Sequence, residues 1–279
     1  MIRQDEEILR AYFRLEEAQR QRLWMQRIWR PETFDWKKRG GPPPMTATKF
    51  IRQEELEKLG FGDAHYKEML RLEEEARAEL LRLAKEHPLA PHFDRIRGLS
   101  MYLCGAFVAA GGDITRAPTV SAFWKGMGLD VLPHGLHTRG GKEVFPPGSV
   151  PRRIRGSIDV ERKIPALPHV TRVGEQIRMQ ILRCQGRMKE FYDRFRAEVD
   201  LRHPDRAKMF NMKDALRRTQ KLLYACLWQE WRVGYNLSAP QPYAFDILKH
   251  PDGGLVRISD FYEPAGSGTD SSETEPEGE

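Results

Sequence analysis

The 279-residue sequence has no long uninterrupted hydrophobic run. Its longest apolar stretch, Met101–Ala110, is well short of the roughly 20 residues that span a bilayer, so neither a transmembrane helix nor a membrane partner is predicted. The N-terminal residues MIRQDEEILR are charged and lack the apolar core of a secretory signal. We therefore expect a cytoplasmic protein.

Cysteine and cofactor-binding motifs are also scarce. The three cysteines, Cys104, Cys184 and Cys226, are widely spaced and odd in number, which argues against a disulfide framework and against a Cys-x-x-Cys site. The sequence contains neither a phosphate-binding Gly-x-x-x-x-Gly-Lys loop nor a Gly-x-Gly-x-x-Gly fingerprint. His134 and His137 have a spacing compatible with metal ligation, but no third and fourth ligand accompany them. We therefore predict no cofactor and no metal.

Basic residues are missing from the C-terminal end. No Lys or Arg follows Arg257, whereas seven acidic residues do. The formal net charge of the whole chain is +6, so residues 1–257 carry +13. This charge favours an anionic partner, and the acidic tail is expected to compete with that partner for the basic surface.

Hydrophobic periodicity and chain-breaking residues predict a mainly α fold, in which a helix-hairpin-helix module is flanked by long helices. A long basic loop is predicted with a hairpin around Arg139–Lys142, and a small β-hairpin or packed arm is expected near the C-terminus. The predicted helices are Asp5–Arg30, Gln53–Leu59, Asp63–Glu86, Thr119–Met127, Arg172–Asp200 and Arg206–Val233. The predicted regions are an N-terminal helical region (1–90), the hairpin module (91–130), a basic Pro/Gly-rich excursion (131–171), a C-terminal helical region (172–264) and a disordered acidic tail (265–279).

The segment Phe93–Ala106 has the layout of a helix-hairpin-helix. Apolar residues precede a tight turn at Gly98-Leu99-Ser100, and a helix of small residues begins near Met101. In such a turn, backbone N–H groups point outward together and bind one phosphate without reading a base. The motif normally has Gly, an apolar residue and Gly at the turn, and Ser100 replaces the second Gly here. An ordinary corner between two packed helices is the alternative interpretation.

The residues after this turn carry a family resemblance. The block Ile96–Leu99, the pair Asp113-Ile114 and the segment Arg116–Leu129, which ends Phe-Trp-Lys-Gly-Met-Gly-Leu, resemble in order the C-terminal domain of DEDD-type insertion-sequence transposases of the Piv/MooV-like class. The chain also looks like phage and mobile-element proteins that pair this block with a late basic helix ending Leu-Trp-x-x-Trp-Arg, here Leu227–Arg232. The resemblance implies DNA binding in a phage or mobile-element setting.

The catalytic parts of that family have no counterpart in the sequence. The transposases carry metal-binding carboxylates on an α/β domain, whereas residues 1–90 are predicted to be helical. They also carry a nucleophilic serine soon after the Gly-Leu ending, whereas no serine follows Leu129 until Ser149. Ser149 and Ser157 lie in the basic loop and are weak candidates. We therefore predict no catalytic residues, and an active DNA transposase or recombinase that needs a metal or a partner is the least favoured hypothesis.

The predicted function is binding of nucleic acid, with duplex DNA favoured, through phosphate contacts. A phage structural or assembly protein that binds protein or RNA, with the long helices forming a homo-oligomer, is the alternative hypothesis. The turn would supply backbone donors and the basic residues would supply charge. The predicted DNA-binding residues are Arg97, Gly98, Leu99, Ser100, Met101, Lys125, Arg139, Lys142, Arg152, Arg153, Arg155, Arg217 and Arg218.

Overall fold

The structure is a computed structural model that describes residues 2–29, 63–129, 136–138, 143–145, 157–158, 168–240 and 256–263. Within these residues the protein is mainly helical, as the sequence predicts. None of the described helices is both long enough and apolar enough to cross a membrane. The helices are α1 (Arg3–Trp29), α2 (Asp63–Glu86), α3 (Ala90–Arg95), α4 (Met101–Gly111), α5 (Val120–Gly126), α6 (Pro168–Arg183), α7 (Arg187–Arg202) and α8 (Lys208–Gly234), with 3-10 turns at Ile114–Arg116 and Ile258–Phe261.

Three short strands form a small antiparallel sheet in the order β2-β1-β3. They are β1 (Leu136–Thr138), β2 (Glu143–Phe145) and β3 (Ser157–Ile158). Leu136 is paired with Phe145 across β1 and β2, and His137 is paired with Ile158 across β1 and β3. Strands β1 and β2 lie on either side of the turn predicted at 139–142. The third strand is not apparent in the sequence because two residues carry no periodicity.

The chain divides into two compact units. Unit 1 comprises Met1–His87 and Met101–Thr115, and unit 2 comprises Pro88–Ser100 and Arg116–Glu279. The two halves of the segment predicted to be a hairpin module therefore belong to different units, since Ser100 is the last residue of its stretch in unit 2 and Met101 opens α4 in unit 1.

Unit 1 packs α1, α2 and α4 against one another. Residues Leu103–Ala110 of α4 are all buried, so this helix is apolar on every side. A Cβ at Gly105 would lie 2.7 Å from Leu80 Cδ1, so the glycine lets α4 approach α2 closely. The apolar face of α1 recurs at helical spacing and is buried through Ile8, Ala11, Tyr12 and Leu15.

In unit 2, α8 packs against α5, α6 and α7. Its buried stripe includes Leu223, Tyr224, Trp228 and Trp231, and Phe123 of α5 lies edge-on to Trp231 with ring centroids 6.2 Å apart. The 3-10 turn Ile258–Phe261 packs on α7 and α8, so these residues form a packed arm. The other predicted form of the C-terminal segment, a β-hairpin, falls largely on 241–255, outside the described residues, as does the helix predicted at 53–59.

The single helix predicted over Arg172–Asp200 is wrong. The structure has two helices, α6 and α7, separated at Cys184–Gly186. At the break, the Glu263 side chain accepts a hydrogen bond from the backbone N–H of Arg187 over 3.2 Å and thereby serves the first turn of α7. A Cβ at Gly186 would collide with this Glu263 carboxylate, so a residue that is distant in the sequence packs closely against the break.

The buried Arg232 side chain is expected to stabilise unit 2. Its Nε donates to the Ser238 carbonyl over 2.5 Å and one terminal nitrogen donates to the Ala117 carbonyl over 3.2 Å, while burial lowers its pKa. We expect Arg232→Met, which keeps the aliphatic stem but loses these bonds, to lower the free energy of unfolding by about 2 kcal/mol. Urea titration followed by tryptophan fluorescence measures this change.

The neighbouring Val233 provides the control for this measurement. Its side chain is 54% exposed, so Val233→Ala is expected to change the unfolding free energy by no more than about 0.5 kcal/mol. Equal midpoints for the two variants would show that the Arg232 hydrogen bonds contribute nothing to stability.

Candidate nucleic-acid-binding site

The predicted phosphate-binding turn connects α3 to α4. Helix α3 ends at Arg95, Gly98 adopts a φ of +91°, and α4 begins at Met101. Arg97 and Ser100 are exposed. The N–H of Leu99 donates to the Ile96 carbonyl over 3.1 Å. This N–H is therefore used within the turn, and Arg97 contributes an exposed cation beside it.

The α-carbon of Gly98 packs closely against the C-terminal end of α6. A Cβ on Gly98 would lie 2.6 Å from Cys184 Sγ and 2.9 Å from Cys184 Cβ, at the end of α6. The positive φ and this close approach together require glycine. The structure therefore provides a packing reason for Gly98 that is independent of any phosphate.

Lys125 lies on α5 and is exposed. This short helix begins after an N-cap residue, since Thr119 Oγ1 accepts a hydrogen bond from the N–H of Ala122 over 3.2 Å. Lys125 makes no ion pair with any residue that the structure describes. The loop cations Arg139, Lys142, Arg152, Arg153 and Arg155 lie outside the described residues, as does Ser149.

Arg217 and Arg218 lie on α8 and are already paired with carboxylates. Arg217 is 2.9 Å from Asp214 one turn earlier, and Arg218 is 3.0 Å from Glu198 on α7. The Arg218 guanidinium also lies over the Phe195 ring, 4.5 Å from its centroid. These two predicted site residues therefore join α7 to α8 or pair within α8, and a phosphate would have to compete with their carboxylates.

The motif Leu227–Arg232, which carries the weaker part of the family resemblance, is part of the core. Trp228 and Trp231 are almost completely buried, and Trp228 Nε1 donates to the Ala117 carbonyl over 2.9 Å. Arg232 donates to the same carbonyl. The apolar and hydrogen-bonding roles of this motif are therefore structural.

The two units differ in charge. Among the described residues, acidic side chains slightly outnumber basic ones in unit 1, whereas basic side chains clearly outnumber acidic ones in unit 2. On α2, Arg71 is paired with Glu68 and Glu75, and Arg82 is paired with Glu79 and Glu86. All predicted site residues except Met101 belong to unit 2.

A further basic surface lies at the end of the α7–α8 pair, outside the residues predicted to bind DNA. Residues 201–210, which we call the α7–α8 tip, are all exposed and include Arg202, Arg206 and Lys208. Met209 and Phe210 lie directly beside these cations on the first turn of α8. The sequence does contain a signal for this surface. The helix-breaking residues His203-Pro204-Asp205 are followed by basic and apolar residues, a pattern that is typical of an exposed helix end.

The described residues contain no group of three or more His, Cys, Asp or Glu side chains that could hold a metal ion. His137 lies in β1, and His134 lies outside the described residues. The three cysteines are free, and burial raises the pKa of the Cys104 and Cys226 thiols to about 12. These two thiols are therefore unreactive, since the thiolate is the nucleophilic form.

Comparisons with known proteins return no match. No family model matches the chain, and neither the curated proteins nor the solved structures contain a significant relative.

Gly98→Ala is expected to destabilise unit 2 by about 2–4 kcal/mol, because it combines a strained backbone with overpacking against Cys184. Thermal unfolding by circular dichroism measures this effect. Gly186→Ala is the matched control: its backbone is extended, and its nearest contact is the end of the flexible Glu263 side chain, so a smaller loss is expected. If Gly98→Ala kept wild-type stability and lost only nucleic-acid binding, Gly98 would instead be needed for the approach of a ligand.

Proposed function

We propose that unit 2 binds nucleic acid through phosphate contacts, with duplex DNA as the partner. The charge difference between the units is the observation that carries this proposal. On α2, arginines face glutamates at i±3 and i±4 spacing, so their fields largely cancel beyond a few ångströms. In unit 2, Arg97, Lys125 and Arg202 are exposed without a described ion pair, so their fields extend into solvent.

Unpaired surface cations suit a polyanion better than a small anionic ligand. Each cation that neutralises a phosphate releases condensed counterions, and this release drives association with little dependence on base sequence. The resemblance of Ile96–Leu129 to a transposase C-terminal domain supports the same partner and a phage or mobile-element origin. The proposal assigns phosphate binding and no catalytic step to this chain.

The test is a salt titration of the full chain on a labelled mixed-sequence duplex. We expect the binding constant to fall steeply with salt, since the slope of log K against log[salt] is about −0.9 per phosphate contacted. The triple variant Arg152→Ala, Arg153→Ala and Arg155→Ala should make the slope shallower by about 2–3, because three loop cations are removed.

A matched control removes the same charge from unit 1. The triple variant Arg10→Ala, Arg71→Ala and Arg82→Ala lowers the net charge equally but removes arginines that are paired with glutamates. It should leave the slope unchanged. Equal effects of the two triple variants would show that only net charge matters, and no binding at low salt would overturn the proposal.

A further inference from the structure

The α7–α8 tip exposes large apolar side chains at the end of a helical pair. Leu201 is 86% exposed, Met209 56% and Phe210 52%. From Asn211 onward, α8 has a buried face that contributes to the core. The exposed apolar residues therefore lie beyond the core, where they gain nothing from burial in the described structure.

The tip is held in a defined conformation. The Asn211 side chain is buried, and its Nδ2 donates to Asp200 Oδ1 over 2.8 Å and to the His203 carbonyl over 3.2 Å. The N–H of Arg206 also donates to the His203 carbonyl, and that of Phe210 donates to the Ala207 carbonyl. The end of α7 is thus tied to the start of α8, so Met209 and Phe210 are positioned before any partner binds.

Two carboxylates beside the tip, Asp200 and Asp214, are already paired with arginines. Asp200 accepts from Arg196 Nε over 2.7 Å, and Asp214 pairs with Arg217. By contrast, Arg202, Lys208 and Lys213 make no ion pair with any described residue. The Arg206 guanidinium lies 5.6 Å from the centroid of the Phe210 ring, which places a cation beside the exposed aromatic face. Arg202, Lys208 and Lys213 outnumber Asp205, the carboxylate within the tip that makes no described ion pair, so the net charge around the apolar residues is positive.

We propose that the α7–α8 tip inserts Met209 and Phe210 between stacked base pairs of duplex DNA, while Arg202, Lys208 and Lys213 hold the adjoining phosphates. Proteins that kink DNA use the same combination, an apolar wedge at one base step with cations on the flanking backbone. This inference rests on the proposed function of unit 2. It adds that binding distorts the duplex and favours sites that unstack easily.

Other occupants fit this surface less well. A second copy of the chain would bring like charges together at the same tip. An anionic membrane usually takes up an apolar face that runs along several helical turns. On α8, Met209 and Phe210 occupy a single turn, and the next large apolar residue that the structure describes as exposed on this helix is Val233 at its far end.

The wedge is tested with two labelled duplexes of the same sequence, one fully paired and one with a two-nucleotide bulge. The wild type should bind the bulged duplex about tenfold more tightly, because part of the unstacking is already done. The variant Met209→Ala with Phe210→Ala should bind both duplexes equally while its salt slope on the paired duplex stays that of the wild type. Phe210→Trp, which keeps a stacking ring, should retain the preference.

A second variant separates charge from stacking. Replacing Arg202, Lys208 and Lys213 by Ala should make the salt slope shallower by about 2–3 and leave the bulge preference intact. Both sets of side chains are exposed, so thermal midpoints should stay at the wild-type value, which checks that the variants fold.

Three results would overturn the wedge while leaving phosphate binding by unit 2 in place. The wild type could show no preference for the bulged duplex, the double Ala variant could retain the preference, or the wild type could bind phosphatidylserine vesicles through Met209 and Phe210 with no effect of these residues on DNA. Failure of the wild type to bind either duplex at low salt would instead overturn the proposed function itself.

Discussion

The packing of unit 2 depends on two hydrogen bonds to the carbonyl oxygen of Ala117. It accepts hydrogen bonds from Trp228 Nε1 and from the Arg232 guanidinium, two buried side chains more than a hundred residues later in the chain. A buried carbonyl without such donors would be costly. Because both donors are on α8, they fix that helix relative to the segment that leads into α5, and Phe123 then packs against Tyr224 and Trp231.

The burial of Trp228 and Arg232, which make these hydrogen bonds, shows which residues of the α8 sequence pattern belong to the core. A sequence pattern of aromatic and basic residues at helical spacing is compatible with either a stacking surface or a core stripe. Here the aromatic side chains of Leu227–Arg232 are buried, and even the arginine is used internally. Met209 and Phe210, which the core does not bury, lie at the first turn of the helix.

Sequence periodicity was sufficient for the helices whose apolar faces are long and regular. The prediction of Asp63–Glu86 matches α2, and α1 and α8 agree within two residues at each end. It was not sufficient at Cys184–Gly186, where an apolar pattern continues across the break. The Glu263 carboxylate, which accepts the N–H of Arg187 at the start of α7, lies 76 residues after Arg187 in the sequence. The local pattern of apolar residues contains no information about a hydrogen-bond partner so far away in the sequence.

The sequence also does not reveal which basic residues of the candidate site are paired with carboxylates. A count of basic residues selects Arg217 and Arg218, but a count does not show which cations are neutralised. The Asp214–Arg217 pair at i,i+3 spacing is visible in the sequence. The Arg218–Glu198 pair joins two helices and emerges only from their packing. Once pairs of both kinds are identified, the cations without a described ion pair include Arg202, Lys208 and Lys213, near the start of α8.

Asn211 lies where the exposed first turn of α8 meets the part of the helix that packs in the core. Its amide satisfies the end of α7, so the first turn of α8 is held by hydrogen bonds and does not need to bury Met209 or Phe210 for its stability. Beyond Asn211, burial of the aromatic stripe stabilises the helix instead. The stability of α8 therefore rests on residues beyond the tip, and the tip can vary in its chemistry while the fold of unit 2 is retained.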